Sequence, residues 1–127
     1  MRLKNFLLVV EDIERSKAFY KEFLGLDVIT DFGTNVILTS GLVLQQRDGW
    51  EQLIGQEIVY GGHAAELYFE TTDMADFLRK IQGTDQEIRW LNPPEEHSEE
   101  NIAEGVAIRQ VVRLYDPDGH VIEVAGH

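Results

Sequence analysis

The amino-acid sequence predicts an α+β fold built from two similar βαβββ modules, and three observations lead to this prediction. The length of 127 residues suits one domain or two small fused halves. A short β-rich run that ends in a helix-capping aspartate occurs at residues 5–13 and again at 66–74. The two runs begin at residues 5 and 66, which are 61 residues or about half the chain apart, and this spacing indicates an internal duplication.

We therefore expect a single domain, 1–127, made of modules 1–46 and 64–127 that are joined by a linker, 47–63. The linker is rich in glycine and has room for one short helical turn at 50–54. Side by side, the modules would form a curved mixed sheet with the helices outside. The concave face of that sheet would be a cleft for a small molecule.

The amino-acid composition argues against several classes of function. Hydrophobic residues make up 43% and charged residues 27%, as in ordinary globular proteins. Eleven Lys and Arg against 23 Asp and Glu give a net charge of -12, which disfavours binding to nucleic acid and to anionic membranes. The chain has no cysteine, so disulfides and thiolate chemistry are excluded and a cytoplasmic location is expected. The early apolar run Phe6–Val10 is too short for a signal peptide or a membrane span.

The first module follows from capping and turn signals. Asp12 suits the N-cap of a helix near residues 12–24, and Gly25 suits its end. Helical spacing predicts an apolar face made of Ile13, Tyr20, Phe23 and Leu24. Short β-rich runs between turn residues predict strands at 3–10, 27–31, 36–39 and 42–46.

The second module repeats this order. Asp73 suits the N-cap of a helix near residues 73–82, and Gly83 suits its end. Its predicted apolar face consists of Met74, Phe77, Leu78 and Ile81. Strands are predicted at 64–70, 87–91, 107–115 and 120–125, with an acidic loop at 92–105 and a tight Asp-Pro-Asp-Gly turn at 116–119.

Strand alternation assigns side chains to the two faces of each sheet. In the first strand, the apolar residues Phe6, Leu8 and Val10 suit the face covered by the helix, which leaves Asn5, Leu7 and Val9 for the other face. In the matching strand, Leu67 and Phe69 suit the helix side, which leaves Glu66, Tyr68 and Glu70 for the cleft.

Four polar residues then fall at equivalent positions of the repeat. Matching the turn glycines, Gly41 and Gly119, sets Gln45 against Glu123, while the two first strands set Asn5 against Glu66. Carboxylates are rarely buried without a partner. Glu66 and Glu123 therefore call for a metal, a cationic ligand, a shared proton or exposure to solvent.

The segments 10–16, 19–20, 24–26, 66–73 and 115–123, taken in this order, resemble the vicinal oxygen chelate superfamily of glyoxalase I, bleomycin-resistance proteins and extradiol dioxygenases. The resemblance covers essentially the whole chain. It implies the glyoxalase/bleomycin-resistance fold and a homodimer. In the enzymes of this superfamily, residues on the first and last strands of each module hold a divalent metal.

Carried over by position, the implied metal ligands are Asn5, Gln45, Glu66 and Glu123. Asn5 departs from the pattern, because that position usually holds His or Gln. An all-oxygen ligand set favours Mg, Mn or Ca over Zn or Ni. The sequence leaves a divalent metal (Mn, Mg, Ni or Zn) and no cofactor equally open.

Two functions remain after these steps, both with a small-molecule ligand or substrate and without nucleic acid or membrane partners. One is a metal-dependent lyase or isomerase that works through an enediolate-type intermediate, with Glu123 and Glu66 as catalytic residues. The alternative is a non-catalytic ligand- or antibiotic-binding protein that resembles the bleomycin-resistance branch. Dioxygenase-like chemistry ranks third, because it needs two His ligands. In each case we expect Leu7, Tyr68 and Glu70 to line the ligand pocket.

Overall fold

The computed structural model describes residues 1–94, 99–100 and 109–127. The chain divides into two units, 1–60 and 61–127. Each unit carries its own sheet, and the two sheets share one strand order: the first strand pairs with the last, the last with the next to last, and that strand with an earlier one. This shared order confirms the duplication that the sequence predicts.

The first unit holds a four-stranded sheet in the order β1-β4-β3-β2. The strands β1 and β4 are parallel, and the other pairs are antiparallel. The core side of the sheet is apolar, with Leu8, Val10, Val36 and Leu44 buried. Phe6, which was expected on the helix side, is 44% exposed. The strands are β1 Phe6–Val10, β2 Val28–Asp31, β3 Asn35–Leu38 and β4 Leu42–Gln46.

Helix α1, Ile13–Leu24, begins and ends as the sequence predicts. The Asp12 side chain accepts a hydrogen bond from the backbone N–H of Arg15, which satisfies one of the free donors of the first turn. Gly25 ends the helix at φ 69°, a conformation that costs glycine no side-chain clash. The buried face is wider than expected and includes Ile13, Ser16, Phe19, Tyr20 and Phe23.

The predicted linker is structured over much of its length. Residues Arg47–Ile54 form helix α2, which is longer than the single turn expected at 50–54. Arg47 accounts for part of this order, because its guanidinium lies 2.6 Å from Glu11 and 3.2 Å from Glu51 one turn further along α2. Residues 47–60 therefore belong to the first unit, and only 61–63 of the predicted linker lie in the second.

The second unit holds a five-stranded sheet in which β5, β9, β8 and β6 follow one another and β7 also pairs with β8. The strands β5 and β9 are parallel, and the remaining pairs are antiparallel. The strands are β5 Glu66–Thr71, β6 Trp90–Asn92, β7 Glu99–Glu100, β8 Arg109–Tyr115 and β9 Val121–Gly126.

Helix α3, Met74–Gln82, confirms the second predicted cap, because the Asp73 side chain accepts from the backbone N–H of Asp76. Met74, Phe77 and Ile81 are buried, as their helical spacing predicts. The strand predicted at 87–91 is instead the shorter and later β6. Its pairing with β8 is interrupted by a register shift between Trp90 and Asn92. A strand exists only where it has a neighbour to pair with, so the apolar residue Ile88 alone could not set the boundary.

The predicted acidic loop, 92–105, is described only in part. Asn92 ends β6, and the pair Glu99–Glu100 forms β7 against the beginning of β8. Residues 95–98 and 101–108 lie outside the described residues. The α+β class agrees with the prediction, and both units follow the βαβββ order apart from the additional two-residue strand β7 in the second. A concave cleft between the modules stays a prediction.

Candidate functional site

The charged site of the second unit is a cluster of Glu66, Arg113 and Glu123, hereafter the Arg113 cluster. Arg113 Nη2 donates to Glu123 Oε1 at 2.5 Å, and Arg113 Nε lies 3.5 Å from Glu66 Oε1. The guanidinium therefore reaches from β8 across β9 to β5. One cation contacts both of the carboxylates that the sequence singles out.

Asn92 on β6 completes the surroundings of Arg113. Its side-chain oxygen Oδ1 accepts from Arg113 Nη1 at 3.1 Å. The guanidinium thus meets acceptors from three other strands of the sheet, and it uses a different nitrogen for each. A planar guanidinium suits this arrangement because its five N–H donors point outward in fixed directions.

The hairpin between β8 and β9 sets Arg113 opposite Glu123. Its turn is tight: the Asp116 side chain accepts from the backbone N–H groups of Asp118 and His120, and Gly119 takes a φ of 91°. This turn closes the pair Tyr115–Val121, so that Arg113 and Glu123 follow two residues further along each strand. Residues paired across an antiparallel ladder share a face, which brings the two charges together.

Burial governs the electrostatics of Glu123, which is only 8% exposed. Loss of hydration raises the pKa of the Glu123 carboxyl above its ordinary value, and the nearby Glu66 carboxylate raises it further. The Arg113 guanidinium opposes both effects. The direction that remains is upward, so the Glu123 carboxyl holds its proton more tightly than a free glutamate does.

The first unit carries amides at the corresponding cross-strand position. Asn35 and Gln45 are paired between β3 and β4, and Asn35 Nδ2 donates to Gln45 Oε1 at 2.9 Å. Gln45 Nε2 donates in turn to the backbone oxygen of Gln46 at 3.1 Å. The only side-chain oxygen of Gln45 thus already accepts a hydrogen bond within its own sheet.

Asn5 does not occupy the position of Glu66, and the predicted match needs a correction. Glu66 lies opposite Val121, two residues after the turn glycine Gly119. In the first unit, the residue two positions after Gly41 is Val43, and Val43 pairs with Leu7. Aligning the two units by their helix caps matches Asn5 with Glu66, whereas aligning them by their hairpins matches Leu7 with Glu66. Strand β5 also pairs with β9 over a longer stretch than β1 pairs with β4.

A second consequence concerns the distance between Asn5 and Gln45. Gln45 pairs with Val9, four residues beyond Asn5, which corresponds to roughly 13 Å along a strand. Asn5 lies before β1, is exposed, and donates through Nδ2 to the backbone oxygen of Gly41 at 3.2 Å. The two amides are therefore not neighbours as Glu66 and Glu123 are. The joint role of all four residues as metal ligands stays a prediction.

The predicted pocket residues divide between the units. Tyr68 and Glu70 are exposed on β5 and alternate with the half-buried Leu67 and Phe69, which confirms the predicted strand alternation. Tyr68 pairs with Glu123, so its ring shares a face with the Arg113 cluster. Leu7 is half-buried on β1 of the first unit. The joint lining of one pocket by all three stays a prediction.

Arg113 is the functional residue that the sequence-based prediction missed, and a signal for it was present. The tight Asp-Pro-Asp-Gly turn at 116–119 fixes the hairpin register. Counting outward from it places Arg113 opposite Glu123. A charged residue between Val112 and Leu114, inside an apolar strand, was the second signal.

The second sheet thus carries a polar cluster on the face where the Tyr68 side chain is exposed. The glyoxalase-like domain family matches residues 3–127, so the chain belongs to that family and to the vicinal oxygen chelate superfamily. No curated protein matches the sequence. Among the described residues, no helix is long and apolar enough to cross a membrane.

Solved structures share the fold over nearly the whole chain. A protein of unknown function from Agrobacterium tumefaciens is 33% identical, with a TM-score of 0.74 and coverage of 100% of this chain and 94% of that one. A glyoxalase-related enzyme from Fulvimarina pelagi is 18% identical, with a TM-score of 0.70 and coverage of 99% and 88%. A fosfomycin resistance protein from Listeria monocytogenes is 14% identical, with a TM-score of 0.67 and coverage of 100% and 91%.

The divalent metal that the superfamily implies does not fit the side chains as they stand. One oxygen of each carboxylate, Oε1 of Glu66 and Oε1 of Glu123, contacts the Arg113 guanidinium. A second cation there would be repelled by the first. Elsewhere, Asp116, Asp118 and His120 bring potential ligand atoms within 4.8 Å of one another, but one Asp116 oxygen already accepts two backbone hydrogen bonds in the turn.

Proposed function

We propose that this chain is a small-molecule binding protein of the glyoxalase-like family that takes up an organic cation on the exposed face of β5, beside the Arg113 cluster, without a metal. The observation that carries the proposal is the contact of Arg113 with both Glu66 and Glu123. Because Arg113 already occupies the carboxylate pair, the cationic group of the ligand would lie on the exposed Tyr68 ring beside the pair and not between Glu66 and Glu123.

The charge on this face favours a cationic ligand. Within the cluster, Glu66 and Glu123 outnumber Arg113, and the whole chain carries a net charge of -12. Tyr68 lies between Glu66 and Glu70 on the same face and is 46% exposed. An ammonium or guanidinium group stacked on an open aromatic ring and flanked by carboxylates gains both cation–π and Coulomb attraction. This chemistry corresponds to the antibiotic-binding alternative.

Isothermal titration of the chelator-treated protein with two probes of opposite charge tests the proposal. We expect saturable binding of metal-free bleomycin, a cationic antibiotic, and none of the anionic fosfomycin. Tyr68→Ala should weaken bleomycin binding by about tenfold, the loss expected for one cation–π contact. Glu87→Gln is the matched control, because Glu87 is an exposed carboxylate that precedes β6.

Failure of bleomycin to bind, together with saturable binding of fosfomycin, would overturn the cation preference. Equal binding by wild type and Tyr68→Ala would remove the β5 face from the proposal. In either case the fold and the family of the chain would be unaffected.

A metal-dependent lyase or isomerase is the second candidate, with Glu123 and Glu66 as its catalytic residues. The specific observation in its favour is that both carboxylates lie on one face and close enough to contact one cation. It would require Arg113 to leave this position. Exchange of the carbon-bound hydrogens of hydroxyacetone for deuterium in D₂O, followed by NMR with added Mg²⁺ or Zn²⁺, tests it. Exchange that Glu123→Gln abolishes would favour this candidate over pure binding.

A homodimer in the cytoplasm belongs to the same proposal. The superfamily commonly pairs chains, and β2 is an edge strand of the first sheet that exposes apolar side chains. Val28, Ile29 and Phe32 are 44%, 62% and 69% exposed. Light scattering at micromolar concentration should give twice the chain mass. A mass equal to one chain would contradict the dimer.

A further inference from the structure

The most unusual feature of this site is a cation that the chain itself supplies. Arg113 Nη2, Nε and Nη1 face Glu123, Glu66 and Asn92 respectively, at 2.5, 3.5 and 3.1 Å. These three acceptors come from β9, β5 and β6. The guanidinium lies where its charge meets both carboxylates at once.

Burial indicates that this arrangement is built into the fold rather than a chance surface contact. Glu123 is 8% exposed and lies in β9, a strand in which every residue is buried. A buried carboxylate needs a counter-charge or strong hydrogen bonds. The Arg113 side chain, at 33% exposure, supplies both and remains reachable from solvent.

The first unit shows that the same position does not need a cation. There, Asn35 and Gln45 pair across β3 and β4 and form a neutral amide hydrogen bond. The guanidinium of the second unit is therefore required by the carboxylates beside it and not by the strand topology, which both units share.

We propose that Arg113 takes the position of the divalent metal between Glu66 and Glu123, and thereby makes this member of the family metal-independent. The guanidinium stays charged at all physiological pH values, so the pair always has its cation. Arg113 is thus a specificity-determining residue: it excludes a metal and holds the carboxylates for a ligand. This inference gives the residue behind the metal-free binding proposed above, and it does not depend on which small molecule binds.

Removal of Arg113 should create a metal site. We expect wild type, treated with chelator and titrated with MnCl₂, to bind Mn²⁺ at least about tenfold more weakly than Arg113→Met. The methionine side chain is similar in length and uncharged, so the two carboxylates lose their cation while the strand keeps its packing. Adding Glu123→Gln to Arg113→Met should abolish the gain, because one carboxylate ligand is then lost.

Arg89→Met is the matched control. Arg89 belongs to the same unit and stacks over the Tyr115 ring at 5.0 Å, but it takes no part in the Arg113 cluster. Its substitution should leave Mn²⁺ binding as weak as in wild type. Arg113→Gln provides a second uncharged variant, which has a polar end. Circular dichroism shows whether each variant is folded.

The proposal is overturned if wild type binds Mn²⁺ as tightly as folded Arg113→Met or Arg113→Gln. It is equally overturned if both folded variants bind no Mn²⁺. These titrations contain no organic ligand. A negative result in the Mn²⁺ titrations therefore does not affect the proposed binding of organic cations. A negative result with bleomycin does not affect the inference about Arg113.

Discussion

The two sheets place chemically different pairs at the same point of the same topology. In the first unit, Asn35 and Gln45 share a neutral hydrogen bond between amides at 2.9 Å. In the second, Arg113 and Glu123 form a charge-assisted one at 2.5 Å. Both acceptors, Gln45 and Glu123, come four residues after the glycine of the preceding turn. A duplicated fold thus keeps the hydrogen bond and changes only its charge.

The neighbouring first strands enlarge this difference. The residue two positions after the turn glycine pairs with Leu7 in the first unit and with Glu66 in the second. The second sheet therefore adds a carboxylate where the first has an apolar side chain. At this position the second repeat carries a charged side chain and the first an apolar one.

The contrast between the two sheets would fail most clearly if the two cross-strand pairs contributed equally to the free energy of unfolding. Arg113→Met leaves the buried Glu123 without its cation and should lower the free energy of unfolding by about 2 kcal/mol, as for other hydrogen bonds to charged groups. Asn35→Leu should cost about 1 kcal/mol, because only a neutral partner is lost. Urea denaturation of the two variants measures both values. Equal losses would mean that charge adds nothing to the second pair.

A combined exchange sharpens the comparison further. Glu66→Leu, Arg113→Asn and Glu123→Gln together give the second sheet the chemistry of the first. Because no buried charge is left unpaired, we expect a stability within about 1 kcal/mol of wild type. The same variant should lose the binding of metal-free bleomycin. A triple variant less stable than Arg113→Met would show that the two sheets do not tolerate the same chemistry.

The pH dependence of stability should distinguish the two sheets as well. The pKa of Glu123 is raised by burial, so the folded state binds a proton more tightly than the unfolded chain does. Its contribution to stability is therefore present below the ordinary value of 4.5 and is lost as the pH rises through the raised pKa. Urea denaturation at several pH values measures how the free energy of unfolding changes with pH. Above pH 4.5, Glu123→Gln should lose the part of this change that the Glu123 carboxyl causes. Gln45→Ala, which alters the neutral pair, should leave the slope unchanged.

The smallest effect is expected for an exposed ion pair of the first unit. Lys17 Nζ lies 2.8 Å from Asp31, and this contact together with the backbone N–H of Gly33 holds the pKa of Asp31 below its ordinary value of 3.8. Its stabilising contribution is present above that value and is lost as the pH falls through the lowered pKa. Asp31→Asn should therefore flatten only the acid limb, and salt should weaken the effect. An unchanged acid limb would contradict the assignment.

Local features of the sequence determined the architecture. The capping residues Asp12 and Asp73 begin the two main helices, as expected, because an N-cap acts through hydrogen bonds within one turn of chain. Strand alternation placed Glu66, Tyr68 and Glu70 on one face, because successive side chains must point to opposite sides. Such signals need no knowledge of what lies across the sheet.

The site itself was decided by contacts between distant parts of the chain. Asn5 was matched to Glu66 through the helix caps, but register is set by strand pairing, which placed Leu7 there instead. Arg113 was overlooked because its role arises only when β8, β9 and β5 lie side by side. A long side chain can then span a neighbouring strand and meet a carboxylate 47 positions earlier in the sequence, at residue 66 against 113. Local propensity sets helices and faces, whereas the partner of a buried charge is chosen by tertiary packing.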